Sequence, residues 1–135
     1  FCSINTDNYE LSYAGAHNPA WIFRKNNQIE SESEIIILQP NRQPVGVYLK
    51  ELPFVENKFQ LQKNDVIYIF TDGYHSQFGG QSCETMKIER FKLFLKDIVY
   101  KPLNEQKILL ENRFVEWKGE NDQTDDVLVI GVCIP

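Results

Sequence analysis

Two acidic positions stand apart from the other carboxylates of this chain because each falls at the end of an apolar, β-type run. Asp72 follows Val66-Ile67-Tyr68-Ile69-Phe70-Thr71, and Gly73 after it lets the backbone turn sharply and lets a ligand approach. Asp125 and Asp126 stand immediately before the run Val127 to Ile134. If the two runs are neighbouring antiparallel strands, the end of the first and the start of the second share one sheet edge, and Asp72 and Asp125 converge. Carboxylates on rigid strands, without Arg or Lys close by in sequence, suit a hard divalent cation such as Mg²⁺ or Mn²⁺. Each residue alone also fits a plainer role, since Asp-Gly after a strand is a common turn and Asp before a strand is a common cap.

The other reactive side chains are sparse. His17, in Gly15-Ala16-His17-Asn18-Pro19, suits a structural hydrogen bond at least as well as catalysis. His75 stands three residues after Asp72, within reach of a bound phosphate, although an exposed loop histidine is the commoner case. There is no GxSxG elbow, and no cysteine has a visibly activating context. Two histidines do not make a zinc site without help from other ligands.

The elements that must position these residues are read from periodicity. Leu11, Tyr13, Trp21 and Phe23 alternate with small or polar residues, as in a β-meander with a turn at Lys25-Asn26-Asn27-Gln28. Glu30 to Glu34 reads as a solvated strand or its edge, and Ile35 to Leu38 as a short apolar strand. Pro40, Pro44 and Gly46 punctuate a loop; Phe54, Val55 and Phe59 suggest another strand, followed by a turn at Lys63-Asn64-Asp65. The run Val66 to Phe70 has the continuous apolar character of a strand buried on both faces. The period then changes to about 3.6. Ile88, Phe91, Phe94 or Leu95, Ile98 and Val99 form one apolar stripe ended by Pro102. A second helix is expected with Asn104 as N-cap, Ile108, Leu109 or Leu110, Phe114 and Trp117 inward, and Gly119 as its stop. Val127 to Ile134 closes the chain as a buried strand. Strands, two helices, then a strand give an α+β class, with both helices on one face of a largely antiparallel sheet.

Composition bounds the function. At 135 residues the chain holds one domain, and 42% hydrophobic with 24% charged residues is ordinary for a globular protein. A net charge of −5, without a dense basic patch, argues against nucleic-acid binding. Apolar runs fall far short of the roughly 20 residues that cross a bilayer, so no direct membrane insertion is expected. Three cysteines, Cys2, Cys83 and Cys133, without CxxC spacing argue against a disulfide framework or a structural zinc, and fit a reducing, cytoplasmic setting. The opening Phe1-Cys2-Ser3-Ile4-Asn5 lacks an initiator methionine and reads as mid-strand, so the chain is expected to be a piece of something longer.

Four segments in this order resemble one family over essentially the whole chain. They are Ala14-Gly15-Ala16-His17-Asn18-Pro19-Ala20-Trp21, Gln43-Pro44-Val45-Gly46, Ile69 to Gly80 around Thr71-Asp72-Gly73, and Asp122-Gln123-Thr124-Asp125-Asp126-Val127. They look like successive motifs of the SpoIIE-like, PPM-type metal-dependent serine/threonine phosphatases of bacteria. The resemblance implies an αββα architecture and divalent-metal coordination by Asp72 and Asp125. Gly73 would lend backbone beside the metal, and Asp126 would support or cap. It further implies two Mn²⁺ or Mg²⁺ ions that activate water for in-line attack on a phosphoserine or phosphothreonine. The substrate would be a partner signalling protein such as an anti-sigma-factor antagonist, with the phosphatase as output domain of a sensor or two-component protein.

Two departures qualify that reading. Ser76 stands where family members often carry an acidic residue. The family's amino-terminal Asp-Gly and Gly-His-Gly type motifs, which supply the other metal-binding aspartates, have no counterpart here. Residues 1–135 therefore resemble the carboxy-terminal half of the catalytic domain, expected to be inactive alone and prone to self-association through uncovered sheet. The competing reading is a non-catalytic signalling or interaction module on a degenerate phosphatase fold.

Overall fold

A computed structural model describes residues 1–25, 33–47, 49 and 52–135. In chain order the elements are β1 (Cys2–Ile4), β2 (Glu10–Tyr13), β3 (Ala20–Lys25), β4 (Ser33–Leu38), β5 (Asn57–Gln60), β6 (Val66–Phe70), α1 (Gly73–Ser76), β7 (Phe78–Gly79), β8 (Glu84–Thr85), α2 (Ile88–Ile98), α3 (Leu103–Lys118) and β9 (Val129–Cys133). The expected turn after Lys25 and the residues Glu30 to Glu32 lie outside the described residues.

The central layer is a four-stranded antiparallel sheet of order β4-β3-β6-β9. Side chains alternate across a strand, so the register Trp21↔Tyr68 and Phe23↔Val66 sends one set to one face while Ile22↔Ile67 and Ala20↔Ile69 sends the other set opposite. The first set packs with Phe70 against Phe91, Leu95, Ile98 and Val99 from α2 and its end, with Leu109, Leu110, Phe114 and Trp117 of α3 partly buried beside it. The second set packs on Leu11, Tyr13 and Leu61, from and beside the smaller sheet β1-β2-β5. Helices, sheet and sheet thus form three layers with a core on each side of β6. This is the α+β, largely antiparallel arrangement with both longer helices on one face.

Four local expectations are corrected. The last strand is an edge, not a buried strand: among the described residues β9 pairs with β6 alone, and Leu128, Ile130 and Val132 are exposed because the register Ile67↔Val132 and Ile69↔Ile130 turns this set to the face away from the helices, where the smaller sheet does not cover it. Helix α3 starts at Leu103, not after an Asn104 cap. Pro102 holds φ −56° and ψ 146° and its carbonyl accepts the Glu105 and Gln106 amides, both at 3.0 Å. Ile108 is exposed, and the inward residue of that turn is Gln106. Its amide is satisfied by the Tyr68 hydroxyl and by the carbonyls of Val99 and Lys101, so burial costs little. Phe54 and Val55 lie outside β5 and are exposed.

Candidate metal centre at the β6–β9 edge

β6 and β9 are antiparallel neighbours, so the condition for convergence of the two acidic positions is met. The last ladder pair is Phe70↔Val129, after which Thr71 continues the contact without regular pairing. The Thr71 amide donates to the Leu128 carbonyl at 3.0 Å, and its hydroxyl accepts from the Leu128 amide at 2.9 Å and donates to the Asp126 carbonyl at 2.7 Å. One side chain therefore welds the end of β6 to the segment entering β9.

Asp72 occupies the N-cap position of the short helix α1, yet its side chain makes no capping hydrogen bond, so the carboxylate is not consumed as a cap. Gly73 lies directly against the opposite segment. A Cβ built there would meet the Asp126 carbonyl oxygen at 2.4 Å and the Asp125 carbonyl carbon at 3.3 Å. The requirement is for space: backbones 52 and 53 positions apart in sequence touch, and only glycine permits it. Asp125 is exposed, with Oδ1 accepting the Asp126 amide at 2.7 Å. The fold thus brings Asp72, Gly73, Asp125 and Asp126 to one sheet edge.

The donor set fits a hard cation in type, since carboxylate and backbone oxygens are what Mg²⁺ and Mn²⁺ prefer. It is short in number: among the described residues no group of three or more His, Cys, Asp or Glu side chains gathers into a metal-holding cluster. Asp72, Asp125 and the Gly73 backbone therefore offer fewer oxygen donors than a complete cation site requires.

The histidines part company here. The His75 ring stands edge-on to Phe70, with centroids 6.2 Å apart, and lies 6.3 Å from Phe91. Burial among these rings lowers its pKa, and the Asp72 carboxylate only partly offsets that. His17 is exposed, at φ 61°, with its amide donating to the Asn41 carbonyl. The loop from Gly15 to Pro19 helps line a cleft of about 370 Å³ that reaches Ile69 and Phe70, so this motif flanks the end of β6. A roomier cleft of about 450 Å³ between α3 and β9 includes neither Asp72 nor Asp125. Sequence reasoning missed Thr71 as the bracket of the edge; its hydroxyl beside an Asp-Gly turn was the available signal.

The family profile described as Stage II sporulation protein E (SpoIIE) matches residues 1–135. No curated protein matches the chain. Among solved structures, the SiaA-PP2C domain of Pseudomonas aeruginosa is similar at 24% identity and a TM-score of 0.81, over 95% of this chain and 48% of that one. The phosphatase domain of the cell fate determinant SpoIIE from Bacillus subtilis is similar at 16% identity and a TM-score of 0.61, over 99% of this chain and 56% of that one. A second structure of that domain, presoaked with Mn, gives 18% identity and a TM-score of 0.60, over 99% of this chain and 55% of that one. The chain spans about half the length of these solved chains, and shares with them the fold of a PP2C-type phosphatase domain. With the Thr-Asp-Gly turn set against the Asp-Asp segment and a family match along its full length, the chain belongs to the SpoIIE family.

Proposed function

We propose that the chain is the metal-binding half of a protein phosphatase that removes phosphate from phosphoserine or phosphothreonine in a partner signalling protein. The carrying observation is the packing of Gly73 against Asp125 and Asp126, which gathers oxygen donors at one rigid edge. Asp72 and Asp125 would hold Mn²⁺ or Mg²⁺, with the Gly73 backbone beside them. When bound, such ions lower the pKa of water and neutralise charge on phosphoryl oxygens. The chain's own part is positional: Thr71 fixes the edge, and the two strands hold the carboxylates beside it. An anti-sigma-factor antagonist as substrate, an upstream sensor domain and a cytoplasmic setting complete the proposal. Family membership supports them, and no helix among the described residues is long and apolar enough to cross a membrane.

Because the donor set is partial, residues 1–135 alone should hydrolyse p-nitrophenyl phosphate negligibly with Mn²⁺ present. A longer protein containing this segment should turn it over and lose at least about 100-fold on Asp72→Asn or Asp125→Asn. Robust turnover by the 135 residues, abolished by Asp72→Asn, would replace the half-site with a complete minimal enzyme. The second reading, a non-catalytic interaction module, is favoured by the lack of a three-ligand cluster among the described residues. Full activity of both Asn variants in the longer protein would exclude metal ligation by these carboxylates; an inactive longer protein that binds no Mn²⁺ would favour the module.

A further inference from the structure

The motif Gln77-Phe78-Gly79-Gly80 has no part in the site described above, yet its backbone lies directly against the end of α3. A Cβ on Gly79 would meet the Trp117 carbonyl oxygen at 1.8 Å, and Gly80, at φ +67°, lies 3.2 Å by the same measure from the Trp117 ring. The Gly80 amide donates to the Trp117 carbonyl at 2.9 Å, and the Trp117 indole N–H donates to the Gln77 carbonyl at 2.9 Å. The end of α3 is therefore locked onto this segment.

Gln77 reaches further. Its side chain is 1% exposed, and its Nε2 donates to the backbone carbonyls of Phe78 and Asp122, each at 2.9 Å. Asp122 opens the segment that ends at Asp126, whose carbonyl is held by Thr71. The stretch carrying Asp125 is thus pinned at one end by Gln77 and at the other by Thr71, leaving residues 123–125 between two fixed points. Both anchors originate within five residues of Asp72, so the strand end that carries one carboxylate also sets the position of the other. A buried amide serving two carbonyls is retained at a cost, because its Oε1 has no hydrogen-bond partner.

We propose that Gln77 is a positioning residue that fixes the Asp122–Asp126 segment and so holds Asp125 against the Asp72–Gly73 turn. This rests on the metal-site reading only for its functional meaning; the geometric claim stands apart from it. Gln77→Met keeps the side-chain length and removes the donor. In the 135-residue chain, hydrogen exchange followed by NMR should show the Asp126 amide exchanging about tenfold faster, with Ile22, Ile67 and Leu95 unchanged. Uniformly faster exchange, or none at Asp126, overturns the proposal by making Gln77 a core residue only. Asp122→Asn should behave as wild type, since the bond is to the backbone. If Gln77→Met does not fold, Trp117→Phe, which loses the indole N–H to the Gln77 carbonyl and the ring area packed on Gly80, should loosen the same segment, and an unaltered segment overturns the proposal. Mn²⁺ broadening of the Gly73 and Asp126 amides tests the metal reading separately. Where wild type broadens, Gln77→Met should need about tenfold more Mn²⁺, and an unchanged requirement overturns the positioning role. This arm is read in the longer protein that completes the donor set, where a silent wild type overturns the metal reading and leaves the exchange result to decide Gln77.

Discussion

At the residue scale, Gly73 carries a constraint that ordinary helix propensity inverts. Gly73 opens α1, where alanine is normally favoured by up to about 1 kcal/mol. Here the added methyl would stand 2.4 Å from the Asp126 carbonyl oxygen, which is backbone and cannot swing aside. Gly73→Ala should therefore destabilise the chain by about 1–3 kcal/mol in urea denaturation, through displacement of the Asp125–Asp126 segment. A neutral or stabilising outcome would mean that the two backbones are not in contact. Thr71 belongs to the same scale, since a single hydroxyl serves the Asp126 carbonyl and the Leu128 amide together.

At the element scale, β6 is the member on which everything converges, and its start is fixed as firmly as its end. Asp65, 1% exposed, accepts from Arg24 Nε at 3.1 Å, from Arg24 Nη2 at 2.8 Å and from the Gln62 amide at 2.9 Å. The Asp65 carbonyl takes the Ile134 amide at 2.9 Å, so β3, β6 and the end of the chain are tied at one corner. Arg24 is about a quarter exposed, which softens the pair's contribution below that of a fully buried one. Arg24→Met should still cost about 2–3 kcal/mol, because the buried carboxylate loses its counter-charge, and Arg24→Met with Asp65→Asn should recover most of it. Additive losses in the double variant would contradict this account. The elements also explain the helices. The α2 stripe was plain in the sequence, whereas α3 inserts Gln106 where an apolar residue is expected, because the Val99 and Lys101 carbonyls need donors at the turn between helices.

At the scale of the whole molecule, β9 leaves an uncovered sheet edge. An edge strand with Leu128, Ile130 and Val132 exposed at 52%, 40% and 38% offers both unpaired backbone groups and apolar side chains. We expect the 135-residue chain to self-associate through this edge, giving a molar mass by light scattering that rises with concentration. Ile130→Lys should return it to monomer, and a clean monomer in the unmodified chain at high concentration would refute edge pairing.

The sequence by itself determined what local pattern can encode: the alternation that makes β2 and β3, the continuous apolar run of β6, the change of period at α2, the stop at Gly119, and Asp72 and Asp125 as the acidic residues worth watching. The motifs made the phosphatase resemblance legible in the same way. Tertiary structure decided the rest, because it concerns partners far apart in the chain. Nothing near Gly73 shows that residue 126 leaves no room for a Cβ, and nothing near Gln77 shows that its amide serves Asp122. Exposure of β9 was illegible for the same reason. An apolar run records what a strand can bury, whereas the neighbours that bury it are chosen by the fold.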